Sequence, residues 1–183
     1  MQTAALLGSL LCLSSLAVAC DSPGAHTGAV EAQPPKPPLG KGTPAQNLTN
    51  AYLVAQAKLA LDDFAGARAA FGSVRGAAQA AELGVAPDLR KRIDATAVDG
   101  AAAPDIGRLR VAFAGLSDAL LDWFKTQANP LGEPLSVAHC PMALDGKGAR
   151  WLQLGKELKN PYFGAAMLAC GSIEATLAPT KKL

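Results

Sequence analysis

The sequence predicts an all-α fold: an antiparallel bundle of about four helices, followed by a C-terminal loop that bears cysteine and methionine and a short helix. Three observations predict it. Apolar residues recur at steps of three and four through most of the chain after residue 45, the spacing that lines one face of a helix. No convincing two-residue alternation competes with that rhythm. Alanine abounds, and small side chains let helices pack closely.

Each element has its own signal. Leu48, Tyr52, Ala55 and Leu59 stand four, three and four residues apart, on one helix face. Asp62-Asp63 breaks the chain and caps a second helix, in which Phe64, Ala67, Phe71 and Val74 continue the rhythm. A third, weaker helix follows Pro87, with Leu89 and Ile93 four apart, and Gly100 and Pro104 punctuate its end. The clearest helix comes next: Ile106, Leu109, Phe113, Leu116, Leu120 and Trp123 at steps of 3, 4, 3, 4 and 3. Near the C-terminus, Asn160 before Pro161 reads as a helix start, Tyr162–Cys170 as the helix, and Gly171 as its stop. The aromatic and leucine stripes are core. Residues 45–183 are long enough for one domain around one core.

The first 44 residues are of another kind. Residues 1–20 run through a largely apolar stretch, Ala4 to Ala19, to Leu16-Ala17-Val18-Ala19-Cys20, the pattern of an export signal and too short for a spanning helix. The stretch resembles a bacterial lipoprotein signal. That resemblance implies lipidation of Cys20 and a membrane anchor on the periplasmic side of a bacterial cell envelope. Residues 21–44, with Pro34-Pro35-Lys36-Pro37-Pro38 and flanking glycines, read as a disordered tether. At roughly 3 Å per residue of extended polyproline chain, such a tether reaches up to ~70 Å from a bilayer.

Chemistry-bearing side chains are concentrated in one stretch. Beyond the signal, Cys140 and Cys170 are the only cysteines and Met142 and Met167 the only methionines. His139 is the only histidine apart from His26, which lies in the tether. Thiolate, thioether and imidazole are the donors that favour Cu(I) and similar soft ions. Met167 and Cys170, three apart, would share a face of the expected helix. Cys140 and Met142, two apart in extended chain, would point the same way. The competing reading is equally open at this level: in an exported protein, Cys140 and Cys170 pair as a disulfide and the methionines fill core.

Other chemistries lack their residues. The domain has one histidine, too few for a blue-copper site, and no Cys-x-x-Cys for haem, zinc or a thioredoxin-like centre. No phosphate-binding glycine loop or Gly-x-Ser-x-Gly turn is present. No carboxylate pair stands out by spacing, so the chain reads as a non-enzyme. A net charge of +2 without a basic run leaves no electrostatic footprint for nucleic acid.

Longer motifs carry a resemblance. Cys140-Pro141-Met142-Ala143, Gly148-Ala149-Arg150-Trp151-Leu152-Gln153, Lys159-Asn160-Pro161-Tyr162-Phe163-Gly164, Met167 and Cys170-Gly171 are similar to a helical family known only as a domain of unknown function. That family occurs alone in exported bacterial lipoproteins and fused to the periplasmic adaptors of copper/silver efflux pumps. The resemblance spans residues 50–178 and implies association with Cu(I) or Ag(I). Residue by residue, it implies Cys140, Met142, Met167 and Cys170 as metal ligands, with His139 adjacent. A metal-efflux or metal-transfer protein is the partner it implies. Trp151, Tyr162 and Phe163 are expected to pack this segment onto the bundle.

Overall fold

A capping box starts the first helix. The Thr43 hydroxyl accepts the Gln46 N–H, the Gln46 side chain accepts the Thr43 N–H, and Pro44 fills the first turn. The computed structural model describes residues 42–180. The export signal with Cys12 and Cys20, His26 and nearly all of the tether lie outside the described residues.

Four helices occupy the segments that the three-and-four spacing predicts: α1 (Pro44–Ala60), α2 (Phe64–Ala78), α3 (Pro87–Ala101) and α4 (Ile106–Trp123). Asp63 caps α2 by accepting the Gly66 N–H, and Asp105 caps α4 by accepting the Arg108 N–H. Each helix packs against the next in sequence, as short connections between neighbours dictate. Leu48, Tyr52, Phe71, Ile93, Leu109, Phe113 and Leu116 are fully buried between them. Each such side chain contributes about 1.5–3 kcal/mol on leaving water. Among the described residues no helix is long and apolar enough to cross a membrane.

The all-α expectation is wrong. Three strands follow the helices: β1 (Leu135–Cys140), β2 (Ala149–Leu154) and β3 (Ser172–Leu177), in an antiparallel sheet of order β2-β1-β3. In β1 the missing alternation has a physical cause. Strand β1 is the central strand, and five of its six residues are buried, Ser136 among them, so its burial does not alternate. Strand β3 does alternate, as Ser-Ile-Glu-Ala-Thr-Leu with Ile173 and Leu177 half-buried against the core, so a signal of period two is present there and escaped the sequence reading. Of the two, only β1 lacks the burial period of a half-buried strand. Strand β2 meets α1 and α4, and the core runs continuously from Leu120 and Trp123 into Leu135, Trp151, Leu152 and Tyr162.

The short C-terminal helix is likewise corrected. Tyr162–Cys170 is a loop with a single 3₁₀ turn, Gly164–Met167. Asn160 does not cap a helix; it bridges this loop, as described below.

Candidate functional site

Strand pairing brings the two cysteines together. Cys140 is the last residue of β1 and fully buried. Cys170 follows the 3₁₀ turn and is followed by Gly171 and β3, whose pairing with β1 begins at His139↔Ser172. Thirty residues apart in sequence, their Sγ atoms lie 2.8 Å apart. Gly171 permits the approach: its φ is +130°, and a Cβ there would stand 2.6 Å from the His139 carbonyl oxygen.

The loop carrying Cys170 is closed by one buried side chain. Asn160 Nδ2 donates to the Cys170 carbonyl, the Asn160 N–H donates to the Leu168 carbonyl, and Asn160 Oδ1 accepts the Tyr162 N–H, all at 2.8 Å. All three bonds form inside the protein, where leaving any of these groups unpaired would be costly. The Tyr162 hydroxyl donates to the Arg150 carbonyl at 2.7 Å, and its ring meets Trp151 edge-on at 5.9 Å. Trp151, Tyr162 and Phe163 thus pack as expected, with Phe163 the most exposed of the three.

The sulfur spacing indicates what the pair can do. A disulfide requires about 2.05 Å. Two sulfurs sharing a tetrahedral ion at a metal–sulfur distance of about 2.3 Å would stand roughly 3.8 Å apart. At 2.8 Å, Cys140 and Cys170 are free thiols that reach either state by a shift of about 1 Å. The neighbouring Cys140 sulfur, and then burial, push the Cys170 thiol pKa up.

The remaining predicted ligands are placed differently. Met142 lies beyond the end of β1, in a turn, and is 55% exposed, so it does not share a side with buried Cys140. Met167 is half-buried, and its carbonyl accepts the Cys170 N–H at 3.0 Å, which keeps the two residues within one turn. His139 points away from Cys140 by strand alternation, and its Nδ1 lies 3.1 Å from Glu174 Oε1. Arg150 Nε holds the other Glu174 oxygen at 2.7 Å. Glu174 is the extra residue of a β-bulge between the pairs Val137↔Ala175 and Ala138↔Ile173, and such a bulge re-aims its side chain. Among the described residues no three or more His, Cys, Asp or Glu side chains gather in a metal-holding group.

Several supporting contacts escaped the sequence reading. Tyr52 bonds Ser117 Oγ at 2.8 Å and accepts the Leu152 N–H at 2.9 Å, joining α1, α4 and β2. Burial pushes its hydroxyl pKa far up, so it stays protonated. Gln56 donates to the Lys159 carbonyl at 2.6 Å, and Arg110 to the Pro161 carbonyl at 3.0 Å. Asp62 takes the Ala165 N–H on one oxygen at 2.9 Å and Arg110 on the other at 2.6 Å. A polar residue on an otherwise apolar helix face, as with Gln56 one turn from Tyr52, was the available clue.

Asp62 makes this latch sensitive to acid. The Ala165 N–H above all holds its carboxyl below the ordinary aspartate range; burial, the next effect, opposes it, and Arg110 adds to the lowering. A lowered folded-state pKa means that the contribution is complete above the unfolded value, near 4, and is lost as pH falls through the lower folded value. Asp62 is partly exposed, so screening reduces the contribution to about 1 kcal/mol. Asp62→Asn suits the left-handed backbone there, φ +58°. It is expected to lower stability by that amount at neutral pH and to flatten the loss below pH ~4 in denaturant titrations. An unchanged acid limb would remove Asp62 from the latch.

A separate open cleft of about 680 Å³ is lined by Arg92, Asp118, Asp122, Lys125 and Arg150 among others. Its charges are largely spent on one another: Arg92 and Lys125 both pair with Asp122. No cysteine or methionine lines it.

Neither a protein-family model, nor a curated protein, nor a solved structure matches the chain.

Proposed function

We propose that the chain is a lipid-anchored module of the bacterial cell envelope in which Cys140 and Cys170, when reduced, take up a soft ion, Cu(I) or Ag(I). When the ion has left, the pair closes to a disulfide by passing two electrons to an external disulfide, which leaves as two thiols. The observation that carries this reading is the 2.8 Å approach of the only two cysteines beyond the signal. Two thiolates of this kind suit a soft monovalent ion, and Met142 and Met167, within three residues of them, are the nearest thioethers in sequence. His139, committed to Glu174, is not counted among the donors. The resemblance to a family found beside copper/silver efflux adaptors supports the same ion class. It also points to a metal-transfer or efflux protein as the partner that gives or receives the ion.

A second reading is favoured by the burial of Cys140: a permanent disulfide that staples a structural or interaction module. Anaerobic titration of the fully reduced chain with Cu(I), against a chromophoric chelator, separates the two. One equivalent withheld from the chelator, and released in a Cys140→Ser, Cys170→Ser variant of unchanged circular dichroism, is expected. If the reduced wild-type chain withholds none, ion capture fails and the staple stands.

A further inference from the structure

The two sulfurs differ in access. Cys140 is fully buried at the end of the central strand, within the core that holds Ala143, Trp151 and Tyr162. Cys170 is partly exposed, and residues 168 and 169 before it and 171 and 172 after it are exposed. Exchange between thiols and disulfides needs a sulfur that the other molecule can reach. A reagent from solution meets Cys170 first, and Cys140 Sγ stands 2.8 Å behind it.

From this asymmetry we infer that Cys170 is a thiolation site for small disulfides of the glutathione class, and that Cys140 is its resolving thiol. The inference rests on the Cys140–Cys170 pair as the working group of the protein. A small reagent is the fit, because Cys170 offers one half-covered sulfur and not a protruding one.

The steps balance. Cys170 gives its proton to solvent, and its sulfur attacks one sulfur of the small disulfide. A Cys170–S bond forms, the reagent's S–S bond breaks, and the departing thiolate takes up a proton. Cys140, deprotonated in turn, attacks Cys170 Sγ. The Cys140–Cys170 bond forms, and the second small thiolate leaves and is protonated. Two electrons pass from the protein to the reagent, which becomes two thiols. Run in reverse, one small thiolate attacks Cys170 with Cys140 as the leaving sulfur, a second attacks the small thiol's sulfur in that mixed disulfide with Cys170 as the leaving sulfur, the small disulfide departs, and, with both thiolates protonated, the dithiol that takes up the ion is restored.

The test uses the reduced full chain, without oxygen, mixed with oxidised glutathione and followed by intact mass and peptide mapping. Wild type is expected to form the internal disulfide with release of two glutathione molecules and no lasting adduct. Cys140→Ser is expected to stop at one glutathione on Cys170. Cys170→Ser is expected to modify Cys140 more slowly by about tenfold or more, because access to the sulfur controls the exchange. If the serine variants lose their fold, brief iodoacetamide labelling of native reduced wild type decides, with Cys170 expected to react ahead of Cys140. Equal labelling of the two, or a wild-type adduct on Cys170 that Cys140 never resolves, overturns the inference. The outcomes are separable from ion capture: Cu(I) titration reads only the reduced chain, so either result leaves the other intact.

Discussion

Closing the Cys140–Cys170 disulfide is expected to stabilise the domain by roughly 3–4 kcal/mol, the chain-entropy value for a closed loop of about thirty residues. The native structure changes little, because the sulfurs are already 2.8 Å apart. The effect therefore falls on the unfolded chain, which loses the freedom of everything between β1 and β3. For a domain of this size the melting temperature is expected to rise by about 10 °C. Denaturant midpoints of the reduced and oxidised chain measure it. Coincident midpoints would show that the bond strains the site as much as it restrains the unfolded chain. The same measurement bears on function: a reduced domain that remains folded is the form able to take up an ion.

Trp151→Ala is expected to have an effect at least as large, a loss of about 3–5 kcal/mol. Trp151 is fully buried on β2, opposite Ala138 of the central strand. Its indole N–H donates to Gln153 Oε1 at 2.9 Å, and Gln153 in turn accepts the Lys159 N–H and donates to the Glu157 carbonyl. The indole also lies against Gly171, where its Cη2 would be 3.2 Å from a Cβ. Truncation opens a cavity beneath the residue that follows Cys170. Besides lower stability, faster alkylation of both thiols is expected, Cys140 above all. Trp151→Phe, which keeps most of the volume, is expected to cost less. A loss below about 1 kcal/mol for Trp151→Ala would remove this side chain from the support of the site.

The position of the chemistry was legible because it is a matter of composition. A domain whose only two cysteines, only two methionines and only histidine fall between residues 139 and 170 announces where to look. Which of these side chains meet was not legible. Spacing put Met142 beside Cys140 by assuming extended chain, but β1 ends at Cys140 and Met142 turns outward. Spacing put Met167 and Cys170 on one helix face, but the segment is a loop with a single 3₁₀ turn, Gly164–Met167, whose two ends Asn160 ties together. His139 was next door in sequence and is on the other side of the strand, held by a bulged Glu174 that no local pattern reveals.

By itself the sequence determined the four helices, and at Asp62-Asp63 and Pro87 the places where two of them start. A helix closes its hydrogen bonds within four residues, so its apolar stripe and its caps at Thr43, Asp63 and Asp105 are local facts. Only the tertiary structure decided the sheet and the thiol pair. The partners of β1 lie on separate segments of chain, a strand buried on both faces shows no period of two, and the alternation of β3 does not say which strand it joins. Cys140 and Cys170 meet because β1 pairs with β3, a non-local bond that residues near either cysteine do not encode.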